Sequence, residues 1–225
     1  MIFFGSRLLG ASPGTGSAAD LFVVVDDYHH FYRDLGSRLP AARRASIMAV
    51  LNRVLPPNAI HLKDPANLST GAKCCVISTS DFAVALSPRG RDYFCRGRLV
   101  QRVQLVYARS EEDRDALEER LETARRGSLD WVPLYLGETF SVQEYCSRML
   151  EVSYAGEIRP EARGRVREVF DAQQTYFRLT YGRILDQAVT AGKLQRVDHG
   201  YRLTAPPTLH DRLRWRLFFV KSNFR

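Results

Sequence analysis

Apolar positions in the first half of the chain fall into short runs separated by helical stripes. Ile2 to Phe4 is a brief buried run, and Asp20 to Asp26 encloses consecutive apolar residues with three valines, the pattern of a strand covered on both faces. Between them, Gly10-Ala11-Ser12-Pro13-Gly14-Thr15-Gly16-Ser17 is a loop by composition. Tyr28, Phe31, Tyr32 and Leu35, then Leu39, Ile47, Val50, Leu51 and Val54, keep helical spacing in two segments broken near Gly36 and Pro40, and Pro56-Pro57-Asn58 stops the second. Strands are predicted around Ala59 to Leu62, over Lys73 to Ser78 and over Val100 to Tyr107. Between the last two lie a short helix from Asp81 to Leu86 capped by Ser80, and a helix or turn holding Tyr93 and Phe94. Strands interleaved with helices make residues 1–108 an α/β domain.

From Ser110 the pattern changes. Glu111 to Arg126 is a charged helix started by Ser110, with acidic residues in its first turn and basic ones in its last, as the helix dipole favours. Phe140 to Tyr154 and Pro160 to Ala191 read as helices. Gly192 to Leu203 alternates around Asp198-His199-Gly200 as a β-hairpin does. Helices followed by a hairpin predict a mainly helical, winged-helix-like domain over 109–225. Its basic, aromatic end, Arg212 to Arg225, runs on without a stop signal, as if the natural chain continued.

Composition adds a constraint on partners. The formal charge of the 225 residues is +8, and it comes from arginine, since the lysines are Lys63, Lys73, Lys193 and Lys221 alone. Such a balance suits nucleic acid, a nucleoside triphosphate or an anionic membrane surface, and the arginine bias is that of a GC-rich bacterial genome. No apolar run is long enough to span a bilayer. Cys74, Cys75, Cys95 and Cys146 have neither zinc-site nor Cys-x-x-Cys spacing, so reduced, core-packed thiols are expected. The start Met1-Ile2-Phe3-Phe4 has neither signal-peptide nor transit-peptide character, which predicts an intracellular protein.

The candidate chemistry gathers at the first two strands. Gly5-Ser6 offers a corner where backbone N–H groups approach a triphosphate closely, because glycine has no Cβ to block it. Asp20 is a hard oxygen ligand for magnesium. A Gly-Ser corner followed by a strand aspartate is the apparatus of a nucleotidyltransferase, whose usual signature has two carboxylates one residue apart at the start of the second strand, and here Ala18 stands where the first would be. Asp26 has the right parity but lies about 20 Å further along a strand, whereas ligands of one ion lie within roughly 5 Å of one another. A second carboxylate must come from elsewhere in the chain, with Asp81, Asp92 and Glu157 as candidates. Lys73, beside a core strand, is a candidate triphosphate ligand; His29-His30 is a poor metal pair, and Glu111-Glu112-Asp113 a solvated face.

Four ordered blocks carry a resemblance: Ser17 to Tyr28 (SAADLFVVVDDY), Lys73 to Ser78 (KCCVIS), Arg96 to Val103 (RGRLVQRV) and Ser153 to Glu161 (SYAGEIRPE). In order and spacing they resemble the mitochondrial-type CDP-diacylglycerol synthases of the translocator assembly and maintenance family and their bacterial relatives. The resemblance implies an α/β nucleotidyltransferase-like domain followed by a winged-helix-like one, and the conversion of CTP and phosphatidate to CDP-diacylglycerol with Mg2+. By position, Gly5 and Ser6 match the phosphate motif and Asp20 the strand aspartate. Asp26 and Asp27 match an acidic pair of open role. Lys73 matches the lysine of a Lys-Tyr-Gly motif whose aromatic is here replaced by Cys74. Gly97-Arg98-Leu99 matches a Gly-Arg-Leu block, and Tyr154, Gly156, Glu157 and Arg159 match a Ser-Tyr-Ser-Gly-Asp-Phe-Arg segment. Arg98 and Arg159, with Tyr154 and Gly156, are thereby expected to serve substrate phosphate, since guanidinium groups hold two phosphate oxygens at once.

The expected partners are CTP and phosphatidate in an anionic membrane surface, with the protein cytoplasmic and peripheral to the inner face of the membrane and no nucleic-acid partner. Two alternatives stand beside this: the same transfer to a non-lipid acceptor, and a non-catalytic winged-helix protein that binds nucleic acid and retains a degenerate nucleotidyltransferase domain. Base preference and oligomeric state are not encoded in any recognisable motif.

Overall fold

The computed structural model describes residues 1–5, 7–8, 18–38, 44–63, 71–87, 93–155 and 164–213. The chain is mixed α/β and divides into two units, Met1–Val84 with Val103–Ala116, and Ala85–Arg102 with Leu117–Arg225. Residues 103–116 thus group with the first unit and residues 85–102 with the second. The strand after residue 102 returns to the first sheet, and the helix before it packs in the second unit.

The first unit is built on a five-stranded mixed sheet ordered β3-β4-β2-β1-β5. Its strands are β1 (Ile2–Phe4), β2 (Ala19–Val25), β3 (Asn58–Lys63), β4 (Gly71–Ser78) and β5 (Gln104–Leu105). Strands β2 and β4 are parallel, so the chain between them must cross over, and it does so through α1 (Tyr28–Arg38) and α2 (Ala45–Val54). Tyr28, Tyr32, Met48 and Ala49 close over Val76, with Val25 and Ile60 beside them. Buried Asn52 is satisfied by donating to the Val76 carbonyl at 2.7 Å and accepting from the Tyr32 hydroxyl. Full burial falls on β4, where Cys74 to Ser78 are all enclosed, rather than on β2, where Phe22 alone is.

Two expectations in this region are corrected. The short helix, α3 (Thr79–Leu86), is capped from Ser78 rather than Ser80: the Asp81 N–H donates to Ser78 Oγ at 3.1 Å. The strand expected over Val100 to Tyr107 shrinks to β5, because residues 100–102 are held in the second unit. There the Val100 carbonyl accepts from the Tyr181 hydroxyl at 2.7 Å, and the Arg102 N–H donates to Gln173 Oε1 at 2.7 Å. What remains pairs with Ile2 and Phe3 of β1.

The second unit has one large core of Trp131, Tyr145, Met149, Leu150, Phe177, Tyr181, Ile184 and Leu185. It is formed by α4 (Tyr93–Leu99), the C-terminal part of α5 (Glu111–Arg126), α6 (Val142–Ala155), α7 (Arg165–Ala172) and α8 (Gln174–Thr190). A three-stranded sheet ordered β6-β8-β7 joins them, from β6 (Thr139–Phe140), β7 (Leu194–Val197) and β8 (Gly200–Leu203). Ser110 starts α5 as expected, accepting from the Asp113 N–H. Ser141 and Glu144 form a reciprocal capping box at α6, and the Ser141 N–H holds the Glu144 carboxyl below its ordinary range. The helix expected from Pro160 to Ala191 is broken at Gln173, whose side chain serves Gln101, Val169 and Arg102 instead of continuing a smooth helical face. All four cysteines are buried and free of disulfides. Among the described residues no helix is long and apolar enough to cross a membrane.

Candidate functional site

In the first unit, strand register sets out one line of polar side chains across the sheet. Phe4 of β1 lies opposite Asp20 of β2, Asp20 lies beside Lys73 of β4, and Lys73 lies opposite His61 of β3. Residues paired in this way share a face, with strands about 4.8 Å apart, so carboxylate, ammonium and imidazole stand in successive rows. The face is the one away from α1 and α2, since Val25, Val76 and Ile60 take the other parity. Lys73 and His61 are exposed and Asp20 is half-buried.

Gly5 follows β1 at the end of this line. Its φ is +85°, a conformation in which L side chains are strained, and a Cβ placed there would stand 2.5 Å from Asp20 Oδ2. Backbone and carboxylate are therefore packed as closely as a missing side chain allows. Replacing Gly5 with alanine is expected to displace the Asp20 carboxylate and destabilise the unit by about 1–3 kcal/mol through the left-handed backbone. Urea unfolding of G5A against wild type measures the cost.

His61 escaped notice in the sequence, although the alternation of the β3 strand contained the signal. With β3 paired antiparallel to β4, the exposed set Ala59, His61 and Lys63 must include whichever residue faces Lys73. Gly71 lies against the same strand, since a Cβ at that position would stand 2.9 Å from the Leu62 carbonyl and 3.3 Å from His61 Nε2.

The other candidates fall elsewhere. Asp81 does not join Asp20 in a shared metal site. Ser78 is level with Val25, five residues beyond the Asp20–Lys73 pair, or about 16 Å along the sheet. Asp81 is instead engaged at that far end, accepting from the Tyr28 hydroxyl at 2.6 Å and from Ser78 Oγ at 2.8 Å.

Asp26 and Asp27, whose role was open, also serve the far end. Asp26 pairs with Arg109 at 2.5 Å, and Arg109 also holds Asp113 at 3.0 Å. Asp27 caps α1 by accepting from the His30 N–H at 2.7 Å. That hydrogen bond, more than Arg53, keeps the Asp27 carboxyl below its ordinary value. The contribution of this exposed group is present at neutral pH and is lost as pH falls through the carboxylate range.

In the second unit, two blocks remote in sequence meet. Arg98 of α4 donates to the Tyr154 hydroxyl of α6 at 2.7 Å, its guanidinium lying 4.5 Å from the ring centroid. Gly97 lets the two helices approach, because a Cβ there would clash with Ser153. Gly97 and Arg98 are thus packing partners of Ser153 and Tyr154, whatever else they contact. Ser6, Asp92, Gly156, Glu157 and Arg159 lie outside the described residues, as do residues 214–225.

Among the described residues, no three or more His, Cys, Asp and Glu side chains are grouped as a metal site. Magnesium, however, is commonly held by one or two carboxylates together with substrate phosphates and water. Asp20, a hard ligand beside a glycine corner, fits that minimal donor set. A scan of protein-family models returns no match to the chain, and no curated protein matches it.

Proposed function

We propose that the chain is a phosphatidate cytidylyltransferase, a nucleotidyltransferase that makes CDP-diacylglycerol and pyrophosphate from CTP and phosphatidate. The observation that carries the reading is the row at one end of the first sheet, where Asp20 stands between the Gly5 corner and Lys73. The ordered blocks at Lys73, Arg98 and Tyr154 supply the choice of lipid acceptor.

In this reading the phosphate of phosphatidate attacks the α-phosphorus of CTP in line, a P–O–P bond forms, and the bond to pyrophosphate breaks. A phosphate monoester is largely ionised near neutral pH, so no side chain need remove a proton. Asp20 would hold Mg2+, which when bound neutralises phosphate charge and stabilises the departing pyrophosphate. Lys73 supplies a compact positive charge to the triphosphate. Gly5 lets backbone approach the phosphates without a side chain between. Positioning and charge neutralisation carry the rate.

The test is a liposome assay with labelled CTP and Mg2+. Label is expected in the lipid extract when phosphatidate is present and not when it is omitted. Transfer to a soluble phosphate ester instead would keep the enzyme class and change the acceptor. Tight, steeply salt-dependent duplex binding with no CTP binding would overturn the reading in favour of a nucleic-acid-binding protein.

A further inference from the structure

Helix α2 is apolar on two faces. One, with Met48, Ala49 and the hydrogen-bonded Asn52, is buried in the first unit. The other carries Ile47, Val50, Leu51, Val54 and Leu55, spaced as one stripe along the helix, and these are 53, 57, 41, 69 and 51 % exposed. They make up five of the twelve exposed large hydrophobic residues described, on a helix of ten residues and its C-cap. Scattered apolar side chains are ordinary on a surface, whereas a contiguous stripe marks something that covers it.

The charges around the stripe select the partner. Between Asp34 and Asp64 the sequence holds five basic residues, Arg38, Arg43, Arg44, Arg53 and Lys63, and no further acidic one. Arg44 is the exposed N-cap residue of α2, and Arg53, 62 % exposed, lies 3.5 Å from Asp27. A second copy docked stripe to stripe about a two-fold axis would set this basic rim against itself. An anionic bilayer meets both features together: aliphatic side chains enter the acyl boundary while arginines stay at the phosphates.

We infer that the exposed face of α2 is a membrane-docking surface that lies in the interface of an anionic bilayer, with Ile47, Val50, Leu51, Val54 and Leu55 inserted and Arg44 and Arg53 at the headgroups. The inference rests on the lipid-acceptor reading for its choice of partner. It adds a place, within the catalytic unit itself, where that unit is held at the lipid surface.

The test measures docking apart from turnover. The full chain is floated with vesicles of equimolar phosphatidylcholine and phosphatidylglycerol, which contain no phosphatidate, and with phosphatidylcholine alone. Wild type is expected to bind the anionic vesicles and V50D/V54D to bind them about tenfold more weakly or less, since two inserted side chains become charged. Circular dichroism and Mg-CTP binding of the variant should match wild type, both sites being solvent-exposed. As a second readout, V54W should shift its emission to the blue on anionic vesicles and be quenched by brominated acyl chains. Full vesicle affinity in V50D/V54D, or an unshifted V54W on protein that floats, would overturn the inference and assign docking elsewhere. So would a wild-type dimer in sedimentation that V50D/V54D dissolves, or wild type that does not float. Lipid product and CTP binding are read separately, so a wrong substrate and a wrong docking face give different results.

Discussion

On the proposed function, Asp20→Ala is expected to reduce formation of lipid-extractable product by about a thousandfold or more, the scale on which loss of a carboxylate that holds a charge-neutralising metal at the transferring phosphate is felt. The fold should survive, because Asp20 is half-buried at the start of β2 and its removal leaves the apolar positions Leu21 to Val25 intact. Mg-dependent CTP binding by calorimetry should fall with the activity. Lys73→Met is the comparison: it removes a charge from the neighbouring row, so CTP affinity should fall while the metal dependence persists. Activity unchanged in D20A would remove the row from the proposed mechanism.

The largest effect on stability is expected in the second unit. Trp131 is fully buried within the core of Tyr145, Met149, Phe177, Tyr181 and Ile184. Trp131→Ala should cost about 3–5 kcal/mol, the transfer free energy of the indole plus the cavity it leaves. Denaturant unfolding followed by far-UV dichroism measures it. Ile47→Ala provides the contrast, since Ile47 is 53 % exposed and its truncation should cost under about 0.5 kcal/mol in the absence of membranes. The same apolar chemistry thus carries a large or a negligible effect according to burial.

That contrast explains which features the sequence made legible. The apolar runs at Ile2 to Phe4, Leu21 to Val25 and Cys74 to Ser78 specified their strands, and the cap at Ser110 and the Asp198-His199-Gly200 turn specified theirs. All of these are decided by neighbours in sequence: side-chain period, a capping hydroxyl, a turn that closes on itself. The helical stripe of α2 was legible too, but its direction was not. Ile47, Val50, Leu51 and Val54 mark the outer face, and the inner one is held by Met48, Ala49 and an asparagine. Periodicity reports that a face exists, and burial depends on what the fold brings to it.

The candidate site divides in the same way. Asp20 and the Gly5 corner could be picked out locally, and the distance argument against Asp26 needed strand geometry alone. His61 entered only when β3 was paired with β4, and Asp81 left only when parallel register put it at the other end of the sheet. Arg98 and Tyr154 are 56 residues apart and meet because Gly97 lets α4 approach α6.

By itself, then, the sequence determined the local elements, the glycine corner with its single aspartate, and a basic chain suited to phosphate. Tertiary structure decided which strands lie side by side, which face of α2 meets solvent, and that residues 85–102 and 103–116 change places between units. The physical reason is that hydrogen-bonded registers and buried contacts between distant segments form only when the whole chain has paid its conformational entropy, and no short window of residues contains them.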